Sequence, residues 1–70
     1  MSATYKKIEI VGTSDSSVSD AIEGAVARAA ATIHDLKWFE VGEIRGRIEN
    51  NKIVEYQATL KIGFRIDKDD

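Results

Sequence analysis

From Val54 to Ile66 the apolar residues fall on every even position (Val54, Tyr56, Ala58, Leu60, Ile62, Phe64, Ile66), while the odd positions carry Glu55, Gln57, Thr59, Lys61, Gly63 and Arg65. Period-two alternation of this length specifies a strand with one covered face and one polar face. A chain of 70 residues has room for one domain, spanning 1–70, so the cover must come from the segments that precede this strand. Those segments have to supply both strand partners and a lid.

The preceding apolar pattern breaks phase. Phe39 and Val41 are odd, whereas Ile44, Gly46 and Ile48 are even, so a regular strand would turn one half inside out. One extra residue mends the pattern. A β-bulge at Gly42-Glu43 keeps Phe39, Val41, Ile44 and Ile48 on the covered face and sets Trp38, Glu40, Arg45 and Arg47 on the other. Asn50-Asn51-Lys52 then turns the chain, since Asn tolerates the left-handed backbone of a tight hairpin. Pairing Ile48 with Val54 closes a three-residue loop, sets Arg45 opposite Gln57 and, counted through the bulge, sets Trp38 opposite Gly63. A bare glycine beside the indole leaves one ring face uncovered, with Arg65 just beyond it on the same surface.

Upstream, Tyr5 to Val11 alternates with Ile8 and Ile10 inward and Lys7 and Glu9 outward, and Gly12 is expected to end that strand. In the polar run Thr13 to Ser17, Ser16 or Ser17 should cap a helix; a Gly followed by hydroxyls could also hold a phosphate, but without a P-loop lysine or spaced glycines capping is the preferred reading. Apolar residues at helical spacing (Val18, Ile22, Ala25 or Val26, Ala29, Ile33, Leu36) predict a helix from Val18 to about Leu36. Gly24, Ala27, Ala30 and Ala31 behind it suit either close approach of another backbone or plain helix propensity. His34, near the expected helix end, is read as favouring the helix dipole rather than as a catalytic group. The fold class is then α+β: strand, helix, strand, strand, a three-stranded antiparallel sheet packed on one helix with the last strand central.

Composition limits what such a domain does. With no Cys and a single His, neither disulfides nor a Cys/His zinc site can staple the fold, so oligomerisation is the remaining common device and a homo-oligomer is expected. A net charge of −2 lacks the basic footprint of a nucleic-acid binder. No apolar run approaches bilayer length, and the N-terminus lacks the charged and apolar regions of a secretion signal, so a cytoplasmic, membrane-free protein is expected. No catalytic pairing of Ser or Cys with His is visible, and no metal ligand set.

The polar face carries the candidate site: Trp38, Arg45, Gln57 and Arg65. An exposed indole is a stacking platform for a flat ring, an amide such as Gln57 matches the imide edge of a flavin or pyrimidine, and arginines hold phosphate with forked hydrogen bonds. Trp and Arg are also enriched at subunit contacts, and on pattern alone Trp38 reads first as an interface anchor. The two readings combine if a planar ligand sits within the interface.

Tyr5-Lys6-Lys7, Val11-Gly12-Thr13-Ser14, the Ala-rich helix, Trp38-Phe39-Glu40-Val41, Ile44-Arg45-Gly46, Tyr56-Gln57 and Gly63-Phe64-Arg65 together resemble the dodecin family of small flavoproteins over nearly the whole chain. The resemblance implies a hollow twelve-subunit shell with flavins paired between Trp side chains of two-fold related subunits. It implies FMN, as in bacterial members, or riboflavin, as in archaeal ones. It assigns the isoalloxazine stack to Trp38, its pyrimidine edge to Gln57 and the phosphate region to Arg45 and Arg65. The implied role is flavin storage and photoprotection, in which the electron-rich indole quenches the excited ring, and not enzyme turnover. A purely structural cage and a flavin-dependent redox enzyme are the rival readings. Some bacterial members bind coenzyme A at a separate surface, and Lys6, Arg28 and Thr32 match that pattern. Lys37 departs from the acidic residue expected just before the Trp in several bacterial relatives.

Overall fold

The computed structural model describes residues 2–67. Its elements are β1 (Tyr5–Ser14), α1 (Val18–Ala30), β2 (Leu36–Glu49) and β3 (Lys52–Arg65). The sheet order is β1-β3-β2, with both outer strands antiparallel to β3, so the last strand is central as expected.

Gly12 does not end the first strand, which runs on to Ser14. Instead it marks where the helix comes closest: a Cβ on Gly12 would meet the Ala21 carbonyl and the Ala25 side chain. Ser17 is the N-cap and accepts from the Asp20 amide at 3.0 Å. The Ser14 hydroxyl donates to the Asp20 carboxylate at 2.8 Å and accepts from the Ser16 amide, so these hydroxyls serve the helix start.

The helix stops at Ala30, short of the expected Leu36, and Leu36 begins β2. Asp35 takes φ 61, reversing the chain into the sheet, and its carbonyl accepts from the Arg65 amide at 3.1 Å. Thr32, Ile33, His34 and Asp35 are mediocre helix formers, and the apolar spacing that continued through Ile33 and Leu36 cannot tell a last helical turn from the start of a strand. His34 therefore lies in the connection between helix and strand, four residues past the helix end, and does not act on its dipole.

The core is thin. Ala21 and Ala25 of α1 are buried against Ala58 and Leu60 of β3, with Ile10, Val18, Ile22 and Val26 around them, and Ala29 and Ile62 are buried as well. The helix packs on β1 and β3. Consequently the expected burial of Phe39, Val41, Ile44 and Ile48 does not occur within one chain: they share the helix side of the sheet with Leu60, but Phe39 is 51% and Ile48 67% exposed. One helix is too narrow to cover three strands, and β2 is left as a bare apolar ledge.

Two features of the β2–β3 hairpin follow from register. The bulge falls where the phase break put it, since Val41 pairs with Leu60 and Ile44 with Ala58, leaving Gly42 and Glu43 opposite Thr59. The turn is tighter than expected. Ile48 pairs with Ile53, not Val54, and Glu49 pairs with Lys52, so a two-residue loop of Asn50 (φ 52) and Asn51 (φ 63) closes the hairpin. Two successive left-handed residues match the twist of the flanking strands, which outweighs a three-residue loop; Val54 becomes the extra residue that restores the register.

Candidate functional site

On the face away from the helix, β2 starts with an irregularity: Leu36 pairs with Phe64 and Trp38 with Gly63, so Lys37 is the added residue. Trp38 then lies over Gly63 as the register required. A Cβ on Gly63 would run into Cζ2, Cε2 and Cη2 of the indole, so one ring face rests directly on the backbone of the central strand. Tyr5, from β1, meets the ring at its edge, with centroids 5.2 Å apart and planes at 71°. The Nε1 proton is donated to Glu40 Oε2 at 3.0 Å, and Lys7 Nζ donates to the same oxygen at 3.1 Å. The indole hydrogen bond, and after it the Lys7 ammonium, hold the Glu40 carboxyl below its usual range. With one face seated and one edge bonded, Trp38 keeps 39% of its surface exposed, a rigid plane facing outward.

Arg65 flanks this platform. Its Nε and a terminal nitrogen donate to the two oxygens of Asp67 at 2.9 and 3.3 Å, and the Thr4 amide donates to Asp67 as well. The Arg65 contact, with help from Thr4, lowers the Asp67 carboxyl to about 2. The clamp joins the start of β1 to the end of β3 and holds the guanidinium near the sheet, with 22% of its side chain exposed.

Arg45 and Gln57 pair across β2 and β3. Gln57 Nε2 donates to Glu55 at 2.8 Å, while Arg45 approaches Glu43 at 3.9 Å and keeps 65% exposure. Arg47 pairs with Glu49 and, at 3.6 Å, with Glu55. Gln57 lies six positions before Gly63 along β3, a span of about 20 Å at about 3.3 Å per residue. One chain thus joins Trp38 with Arg65, and Arg45 with Gln57, but it does not bring all four together. Sequence pattern put them on one face correctly and left the distance along the strand unstated.

A family model described as Dodecin matches residues 4–67. The chain belongs to the dodecin family. It is 48% identical over 68 residues to a dodecin of Thermus thermophilus, covering 97% of this chain and 99% of that protein. Its fold is similar to the crystal structure of a Thermus thermophilus protein, with a TM-score of 0.91 and 47% identity over 97% of this chain and 100% of the other. The dodecin of Streptomyces davaonensis has a TM-score of 0.93 and 44% identity, covering 97% and 100% of the two chains. The dodecin fold and the strand order expected from the sequence are therefore the ones observed.

Of the second dodecin surface expected from the resemblance, Arg28 and Thr32 line one groove of about 610 Å³ between β1 and the helix, with Gly12, Gly24 and Ala25 in its walls. Lys6 is not among the groove's lining residues; it is exposed near the start of β1, opposite Phe64. Tyr5, Lys7 and Glu40 form the immediate surroundings of Trp38. Glu40 stood on the right face in sequence, whereas the roles of Tyr5 and Lys7 depend on the β1–β3 register, which sets Lys7 against Gly63. Among the described residues no group of three or more His, Cys, Asp or Glu could hold a metal ion, and no helix is long and apolar enough to cross a membrane.

Proposed function

We propose that this chain is a flavin store: a homo-oligomer, twelve copies in the form the family resemblance implies, that binds FMN or riboflavin in pairs between Trp38 side chains of two-fold related subunits. The observation that carries the reading is the indole pressed flat on Gly63 with its other face outward. Such a plane fits the isoalloxazine, a tricyclic ring with no shape requirement beyond flatness. Because Gln57 and Arg45 lie about 20 Å along the strand, at about 3.3 Å per residue, they serve the ring and phosphate of a flavin whose stacking indole belongs to a second copy. The ledge of Phe39, Val41, Ile44 and Ile48, on the opposite face of the sheet, supports the same homo-oligomer separately, as an apolar surface that association would cover.

Within that site Gln57 offers a donor and an acceptor to the pyrimidine edge, and Arg45, with Arg65 from its clamp, favours a phosphate. Trp38 supplies the stacking plane and the electron. A bound flavin would supply a photoexcited ring that takes this electron and gives it back, so light energy ends as heat without net chemistry. Stacking between an indole and a second flavin leaves no room for a substrate, which favours storage and photoprotection over a redox enzyme. Coenzyme A is assigned to the groove of Arg28 and Thr32, with Lys6 at a greater remove.

Releasing the chromophore from purified protein and identifying it by mass tests the ligand, and light scattering tests the assembly. A yellow shell yielding FMN or riboflavin is the expected result. A species of one or two chains at micromolar concentration, or a colourless shell that ignores added flavin, would overturn the reading; the second outcome would make the protein a structural cage.

A further inference from the structure

We propose that Glu40 sets the electron-donating strength of Trp38, a positioning role that rests on the quenching reading above. Glu40 stands two residues from Trp38 on the same face of β2, and one of its oxygens, Oε2, accepts from both the indole Nε1 at 3.0 Å and Lys7 Nζ at 3.1 Å. A carboxylate on the N–H of an indole pushes charge into the ring, and it lies within hydrogen-bond distance of the positive charge that develops when an electron leaves. The oxidised indole is a much stronger acid at nitrogen, so its proton shifts along the Nε1–H···Oε2 contact as the electron departs and returns when the electron does. The Nε1–H bond that breaks as Oε2–H forms is restored on the return, so no net bond change remains, and the flavin is the electron acceptor and then the donor.

The surroundings adjust this effect in both directions. Lys7 draws on the same oxygen and weakens the carboxylate's pull on the indole. Lys61, the β3 partner of Glu40, adds a second cation, while Glu9 pairs with Lys61 from the β1 side and Tyr5 touches the ring edge. The net result is a carboxyl that stays ionised below the usual range of its type. The same contact pins the edge of the ring, with Gly63 beneath it, so the donor keeps one orientation.

Glu40→Gln tests the assignment because the amide oxygen still accepts from Nε1 while the charge is gone. Two quantities are read: the one-electron oxidation potential of Trp38, the only Trp of the chain, by pulse radiolysis of flavin-free protein, and the emission decay of bound riboflavin. The potential should shift upward and the quenching should slow roughly threefold to tenfold, since a charged acceptor makes a bond about twice as strong as a neutral one. Lys7→Met should shift the potential the other way. An unchanged potential in Glu40→Gln, or an upward shift in Lys7→Met like that in Glu40→Gln, would overturn the proposal. Should the Gln variant fail to assemble, acidifying the parent answers the same question: the potential must rise as Glu40 is protonated, below its ordinary 4.5, and a flat response would refute the assignment. Read without flavin, the potential decides on Glu40 even where the flavin reading fails.

Discussion

Gly63→Ala is the smallest change that addresses the platform. Gly63 has no positive φ, so alanine meets no backbone penalty there, and whatever happens is due to one methyl group under the indole. That methyl would overlap three ring atoms at once. Overpacking of this kind costs roughly 1 to 3 kcal/mol in a closed core. Trp38 is 39% exposed and can swing outward, so the stability loss should sit near the low end, about 1 kcal/mol. Swinging out tilts the plane and breaks the contact of Nε1 with Glu40. A flavin would then lose most of one aromatic stack, roughly 1 to 3 kcal/mol, so its affinity should fall about tenfold to a hundredfold. Near-ultraviolet circular dichroism of the flavin-free variant reports the indole, riboflavin titration reports affinity, and light scattering shows whether assembly survives. Gly24→Ala is the control, because a Cβ there meets nothing within 4 Å on an exposed helix face and should be neutral or stabilising by up to about 1 kcal/mol. A Gly63→Ala variant with parental dichroism and parental affinity would refute the seating of the indole on Gly63.

Trp38→Leu keeps an apolar group but removes plane and donor together; flavin affinity should drop about tenfold to a hundredfold, with brighter emission from whatever still binds, and loss of the shell instead would make Trp38 chiefly an interface anchor. Arg45→Ala should weaken FMN more than riboflavin, by roughly 1.5 to 3 kcal/mol for a lost charge-assisted phosphate contact, and equal losses in titrations of the two flavins would exclude a phosphate role. Arg65→Ala should show the same preference but also release Asp67 and Thr4 from their clamp, so Arg45 is the cleaner probe. The clamp itself is pH-dependent: a carboxyl lowered from 3.8 to about 2 adds stability that is fully present above 3.8 and is lost as the pH falls through about 2. Carboxyl resonances should place Asp67 in that low range in the parent and move it upward, toward its ordinary 3.8, in Arg65→Ala, and an unmoved titration would remove Arg65 as the cause.

Much of the fold was legible because a strand's side chains alternate with no slack. The phase break between Val41 and Ile44 admits one repair, the bulge at Gly42-Glu43, and counting through it seats Trp38 on Gly63. The pairing of Arg45 with Gln57 was reached from an Ile48–Val54 pairing that the structure replaces, and it holds because Val54 is the extra residue that restores the register. Polar run and apolar stripe likewise narrowed the helix cap to Ser16 or Ser17, of which the structure uses Ser17. Where local preference and tertiary geometry compete, pattern was a weaker guide. It carried the helix on to Leu36 although Asp35 reverses the chain, stopped β1 at a glycine that serves close packing, and chose a three-residue turn where paired left-handed asparagines suffice.

Alternation, then, determined by itself which residues share a face, and so named Trp38, Gln57, Arg45 and Arg65 as one polar surface. Periodicity has no information on how wide a helix lies over a sheet or how far apart two residues of one face stand. Those are properties of the packed chain. Only the tertiary structure decided that α1 covers β1 and β3 while β2 keeps its apolar ledge, and that Trp38 and Gln57 stand far apart along the sheet. It also brought Tyr5 from β1 to the indole and Lys7 to Glu40, contacts between residues more than thirty positions apart that depend on β3 lying between its two partners.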